Sequence, residues 1–160
     1  MRILFVCLGN ICRSPTAEGV MAKLVADAGL QGEIELDSAG TGTWHVGEPA
    51  DTRARKAASA RGIELHSIAR QVRAEDFERF DLILAMDGSN QHALQRLAPD
   101  EVAREKVKLL REFDPAVADL HDLDVPDPYY DSERGFEIVL DQVQAACEGL
   151  LARVRYSETL

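Results

Sequence analysis

The sequence predicts a single α/β domain: a twisted four-stranded parallel sheet with helices on both faces. Short apolar runs rich in β-formers alternate with stretches of 3.6-residue hydrophobic period, the pattern of strands joined by crossover helices. A length of 160 residues suits one domain with a sizeable core. No internal repeat, low-complexity tract or shift in composition divides the chain.

The first strand is the run Arg2-Ile3-Leu4-Phe5-Val6. The loop Cys7-Leu8-Gly9-Asn10-Ile11-Cys12-Arg13-Ser14 follows, and then Pro15, which suits the first turn of a helix. Ala17, Val20, Met21, Leu24, Val25 and Ala28 recur at helical spacing, and Gly29 is the natural stop. Residues 33–38 alternate polar and apolar as a second strand, followed by a glycine-rich loop over 39–47. Residues 51–61 read as a helix with Ala54, Ala57 and Ala58 inward and Gly62 at its end. A short helix begins within 73–77, and 81–86 is a third strand buried on both faces. Residues 89–97 are helical and 107–110 form a fourth strand. The span 112–130 is loop-rich, with Pro115, Pro126 and Pro128. A long final helix carries the stripe Phe136, Val139, Leu140, Val143, Cys147, Leu150, Leu151 and Val154. The domain is expected over 1–155, with 156–160 a frayed tail. The architecture is flavodoxin-like, with strand order 2-1-3-4, and ligands in such sheets sit beyond the carboxyl ends of the strands.

The loop leaving the first strand is therefore where chemistry is expected. A loop feeding a helix N-terminus points backbone N–H groups at one spot, where the helix dipole favours an anion. Gly9 can supply a left-handed φ and Asn10 tolerates one. Arg13 can fork onto two phosphate oxygens. The same charges are expected to lower the pKa of Cys7 from about 8.5 towards the ~3.5–7.5 of activated thiols. Ser14 can donate a hydrogen bond to the resulting thiolate. A cysteine ending a buried strand is by default a small core residue; the whole stretch between strand and helix favours the nucleophile.

Composition narrows the partners. Hydrophobic residues make up 46% and charged residues 29%, ordinary for a soluble domain. The 18 basic and 28 acidic side chains give −10, which disfavours nucleic acid and anionic membranes as partners. No apolar run reaches the roughly 20 residues of a membrane span, and residues 3–8 are too short for a signal peptide. A cytoplasmic location is expected. Three cysteines, Cys7, Cys12 and Cys147, make neither a disulfide framework nor a metal-ligand spacing, and a reducing compartment suits a reactive thiol.

The stretch Cys7-Leu8-Gly9-Asn10-Ile11-Cys12-Arg13-Ser14-Pro15 resembles the signature of the low-molecular-weight protein tyrosine phosphatases, and the similarity runs from Met1 to about Val154. Attack on a phosphate ester also needs an acid for the leaving oxygen. Asp127 in Asp124-Val125-Pro126-Asp127-Pro128-Tyr129-Tyr130 is the candidate, held by two flanking prolines and resembling the family's general-acid motif. Asp124 is its rival, and an Asx-turn is the plain alternative for Asp127. Asp127 would then serve as base when water attacks a phosphocysteine. No metal or cofactor is called for, because Arg13 and the loop amides take the charge. The resemblance implies a tyrosine-phosphorylated protein as partner.

Trp44, Tyr129 and Tyr130 are loop aromatics that could wall an aryl phosphate. The resemblance places Trp44 and Tyr129 at the pocket rim; the other reading has Trp44 capping the core. Ile11 stands where a related arginine-phosphatase subgroup has Thr, and its bulk favours phosphotyrosine. Cys12 either traps an oxidised Cys7 as a disulfide, as the resemblance implies, or fills a tight loop. Cys147 is core. Asn10, Ser14 and Ser38 match positions that stiffen the phosphate loop. The family pattern has a His two residues before Ala-Arg-Gln; here that position is Ser67, with His66 displaced by one, and either could substitute. His45, His92 and His121 are expected to face solvent.

Three other activities share this architecture. A thioredoxin-coupled arsenate reductase needs further cysteines near the third strand, absent from 82–90. A phosphocysteine carrier domain lacks the arginine and the acid. A phosphoarginine phosphatase is set aside by Ile11.

Overall fold

A computed structural model describes residues 1–117, 119–156 and 160. Residues 157–159 of the expected tail lie outside the described residues. Four strands, β1 (Arg2–Cys7), β2 (Glu35–Gly40), β3 (Leu82–Ala85) and β4 (Val107–Leu109), form one parallel sheet in the order β2-β1-β3-β4. This is the expected order, with β1 inside the sheet.

Side-chain alternation along β1 divides the core in two. Ile3 and Phe5 join Leu82 and Leu84 on one face, under α1 (Arg13–Asp27), α2 (Thr52–Ser59) and α6 (Glu133–Arg155). Leu4 and Val6 join Ile83 and Ala85 on the other, with Phe77 from α3 (Asp76–Arg79) and Leu94 from α4 (Gly88–Leu97). The apolar stripe of α6, from Phe136 through Val143 to Leu150, joins this core and packs against α1 and α2.

Boundaries shift where local bonding overrides pattern. The second strand begins two residues later than expected and runs on through Ala39 and Gly40, because its register with β1 continues to the pair Cys7–Gly40. The fourth strand ends at Leu109, and Leu110–Phe113 turn into a 3₁₀ helix in which the Glu112 side chain accepts from the Leu109 amide at 2.6 Å. The expected loop therefore starts later. A five-residue helix, α5 (Glu101–Glu105), was not expected: it is too short to show a period, and the Asp100 cap on the Ala103 amide defines it. Gly29 terminates α1 with φ 72°.

Candidate active site

Cys7 ends β1 and Arg13 opens α1, so the five residues 8–12 must turn from the strand end into the helix. Asn10 takes the left-handed conformation, φ 57°. Gly9 does not, contrary to expectation. Its lack of a side chain serves a close approach instead, since a Cβ there would sit 3.1 Å from Cδ2 of His45. Gly40 plays a similar part that the sequence did not reveal. A Cβ there would lie 2.8 Å from the Leu8 carbonyl oxygen. The amides of Thr41 and Gly42 donate to the carbonyls of Cys7 and Leu8, and the Asp51 amide to that of Ile11, all at 2.8–2.9 Å.

The Asn10 side chain holds the loop from within. It is 1% exposed, and every polar atom of its amide is engaged. Nδ2 donates to Ser14 Oγ at 2.8 Å and to Ser38 Oγ at 3.0 Å, and Oδ1 accepts from the Arg70 amide at 3.0 Å. Ser14 Oγ lies 3.0 Å from Cys7 Sγ, and the Asn10 amide donates to that sulfur at 3.3 Å. Cys12 is the N-cap residue of α1 and supplies no side-chain cap. The first-turn amides are thus not spent on a capping side chain, and the helix end keeps its partial positive charge for an anion.

Neither candidate substitute for the family histidine enters this network. His66 is exposed, and the Ser67 hydroxyl oxygen is buried without a partner among the described residues. The bond to Asn10 Oδ1 comes from the Arg70 amide. The Arg70 guanidinium is anchored to Asp76 at 3.0 and 3.1 Å and to Asp37 at 3.0 and 3.2 Å.

Arg13 is 2% exposed. Nη1 donates to Asp87 Oδ2 at 2.6 Å and to the Val125 carbonyl at 3.0 Å, while Nη2 lies 3.5 Å from Asp127 Oδ2. Burial alone would lower its pKa, but the Cys7 sulfur, Asp87 and Asp127 outweigh burial and hold it above the ordinary value. Asp87 escaped the sequence reading. Its signal is an aspartate just past a strand at a helix N-cap, where its other oxygen accepts from the Asn90 amide at 2.7 Å.

Asp127 makes the Asx-turn and also reaches the cavity. Oδ1 accepts from the Tyr129 amide at 3.1 Å as an Asx-turn, and Oδ2 faces Arg13. Asp124 is placed elsewhere: its Oδ1 accepts from the Gly88 amide at 2.9 Å, steadying the start of α4.

These groups surround one cavity of about 420 Å³. Cys7, Leu8, Gly9, Ile11, Cys12 and Arg13 line it from the loop; Asp127, Tyr129, Tyr130, Trp44 and His45 complete it. Trp44 is 72% exposed with its ring against Gly42, which removes the core-cap reading. Tyr130 is 95% exposed at the edge and stacks edge-on with Tyr129. His45 corrects the expectation of a solvent-facing ring. Its Nδ1 lies 2.7 Å from Glu48 Oε2, and the ring sits 5.9 Å from that of Tyr129. Its place beside Trp44 in a glycine-rich loop was the available clue. His92 and His121 are exposed, as expected. Burial and then Asp51 push the Cys12 thiol up, so it stays protonated. Cys147 is fully buried in α6.

A thiol contacted by a hydroxyl and an amide, beside a buried arginine and a carboxylate, is an arrangement that can take a phosphate ester. The family model of the low molecular weight phosphotyrosine protein phosphatases matches residues 2–159. The chain belongs to that family. It is 54% identical to the low molecular weight protein-tyrosine-phosphatase of Streptomyces coelicolor, over 96% of this chain and 93% of that one. A crystal structure of the protein tyrosine phosphatase of Entamoeba histolytica superposes with a TM-score of 0.92 at 42% identity, covering 98% of each chain. The Drosophila arginine phosphatase superposes with a TM-score of 0.86 at 33% identity, covering 97% of this chain and 98% of that one. The chain is thus a hydrolase of the protein-tyrosine phosphatase class. No helix among the described residues is long and apolar enough to cross a membrane.

Proposed function

We propose that this phosphatase hydrolyses protein phosphotyrosine through a phosphocysteine formed on Cys7. One observation carries the reading: the Cys7 sulfur, contacted by Ser14 Oγ and the Asn10 amide, faces the same cavity as Arg13 and Asp127. In the first step Cys7 Sγ attacks phosphorus. The S–P bond forms, the P–O(aryl) bond breaks, and protonated Asp127 gives its proton to the leaving oxygen. In the second step the Asp127 carboxylate takes a proton from water, which attacks phosphorus. The P–S bond breaks, inorganic phosphate leaves and the thiolate returns.

Arg13 balances charge throughout. With Nη1 held by Asp87 and Val125, its other donors can turn from Asp127 to the phosphoryl oxygens, a planar fork that spreads the developing charge. Aromatic residues around the mouth, Trp44, Tyr129 and Tyr130, fit a flat phenyl ring. A phosphoserine side chain is too short to span from that rim to the sulfur of Cys7, a residue only 3% exposed. The expected substrate is a tyrosine-phosphorylated protein, and three free cysteines suit the reducing cytoplasm.

The test is a panel of phosphotyrosine, phosphoserine and phosphoarginine peptides plus arsenate, with Cys7→Ser as control. Phosphotyrosine turnover that vanishes in Cys7→Ser is the expected result; full turnover by that variant would overturn the mechanism. The likeness to the Drosophila arginine phosphatase makes phosphoarginine the second reading. Ile11 lines the cavity and favours the phosphotyrosine arm.

A further inference from the structure

Arg53 has no part in the chemistry above and does not itself line the cavity. It stands in the first turn of α2, part-exposed, with its guanidinium engaged on an edge and on a face. Along the edge, Nε donates to Asp51 Oδ1 at 3.1 Å and Nη2 to Asp51 Oδ2 at 3.0 Å, a planar fork on one carboxylate. Asp51 is itself fixed. Its side chain is largely buried, its Oδ1 also accepts from the Arg53 amide as the cap of α2, and its own amide donates to the Ile11 carbonyl of the phosphate loop at 2.8 Å.

On its face the guanidinium reaches two rings. Its Cζ lies 4.7 Å from the centre of Phe136 and 5.6 Å from the centre of Tyr129, both within cation–π range. Phe136 belongs to the buried core and is a fixed base. Tyr129 is 37% exposed and needs support to keep one position. Two other rings meet it among the described residues. Tyr130, 4.9 Å away, is almost wholly exposed and gives no rigid support; His45, 5.9 Å away, belongs to the glycine-rich loop. Arg53 is the neighbour that ties Tyr129 both to the core, through Phe136, and to the phosphate loop, through Asp51 and Ile11.

We propose that Arg53 is a positioning residue for the aryl group of the substrate: gripped by Asp51 and braced on Phe136, it sets the Tyr129 ring as a wall at a fixed distance from the phosphate loop. The role rests on the reading of the cavity as a phosphotyrosine site. A wall ordered before binding spares the complex the entropy of immobilising that side chain. The gain therefore falls on the aryl part of a ligand and not on its phosphate.

The experiment measures inhibition constants for phenylphosphonate and for inorganic phosphate, each competing with an aryl phosphate. The proteins are wild type, Arg53→Met, Arg53→Lys, Tyr129→Leu and the two Arg53 variants combined with Tyr129→Leu. An inhibition constant does not depend on how much of the protein is folded, so a loss of stability alone leaves it unmoved. Arg53→Met should raise the phenylphosphonate constant about 2–5-fold, the worth of one exposed cation–π contact, and leave the phosphate constant unchanged. Arg53→Lys, which keeps a cation but not the planar fork, should show a smaller rise of the same kind. Neither Arg53 variant should add to the effect of Tyr129→Leu. A phenylphosphonate constant that does not rise, an equal rise for phosphate, or an aryl-specific rise that persists without Tyr129 overturns the proposal. Should Arg53→Met fail to fold, Arg53→Lys decides in the same way. Tyr129→Leu by itself separates the two readings. If it raises the phenylphosphonate constant while Arg53→Met does not, only the Arg53 role fails; if it has no effect, the aromatic-rim reading fails first.

Discussion

Replacing Asp87 tests how the buried arginine is held. Arg13 Nη1 and Asp87 Oδ2 are 2.6 Å apart, with side chains 3% and 20% exposed. Removing one partner of a buried pair costs about 3–5 kcal/mol, because the other charge is left without compensation. The low end applies here, since Arg13 keeps the Val125 carbonyl and Asp127. Asp87 also caps α4, and a lost cap adds about 1 kcal/mol. Asp87→Ala should therefore cost about 4 kcal/mol. For a chain of this size that lowers Tm by roughly 8–16 °C. Asp87→Asn retains a good cap and one hydrogen bond, so about half that loss is expected. Both variants should lose about tenfold in kcat/KM, equivalent to ~1.4 kcal/mol, as the guanidinium turns further towards Asp127. Thermal unfolding by circular dichroism and steady-state kinetics at pH 6 read the two effects. An Asp87→Ala protein as stable and as active as wild type would refute the assigned anchoring. Equal losses of Tm in both variants would show that neither the cap nor the retained hydrogen bond contributes to stability.

Three further outcomes are expected. Asp127→Ala should lower kcat by about 10²–10⁴ while inhibition by inorganic phosphate is kept; Asp124→Ala, which frees only the Gly88 amide, should leave the rate within a few-fold, and the reverse pattern would exchange their roles. Burial, reinforced by Asp37, raises the pKa of Glu18, so the native state holds its proton more tightly than the unfolded chain. Stability should accordingly fall as pH rises from about 4.5 to about 7, and a Tm-versus-pH slope over that range unchanged in Glu18→Gln would contradict this. Cys12 lines the same cavity as Cys7, so brief peroxide followed by thiol should restore activity in wild type but not in Cys12→Ser; equal recovery would end the protective role.

Strong local signals survived folding best. The strand–loop–helix around Cys7 was legible because β-forming residues, a signature loop and a helical period adjoin in sequence. Asp127 was legible because two prolines frame it. Asp87 was not: its partner Arg13 is 74 residues away. That neither His66 nor Ser67 joins the Asn10 network could not be read either. Asn10 is served by the Arg70 backbone amide, and every non-proline residue has one. His45 looked like a surface residue until the 41–47 loop folded its ring against Gly9 and Tyr129.

By itself the sequence determined the α/β class and the strand–loop–helix around Cys7, since each depends on periodicity or on residues close together in the chain. Tertiary structure decided how the loop is held. Asn10 takes the left-handed turn because Ser14, Ser38 and Arg70 converge on its amide. Gly9 and Gly40 are small because His45 and Leu8 press against them, and Arg13 is aimed by Asp87 and Val125. Those contacts join residues up to 112 positions apart, and only packing the two core faces about one sheet brings them within hydrogen-bonding distance.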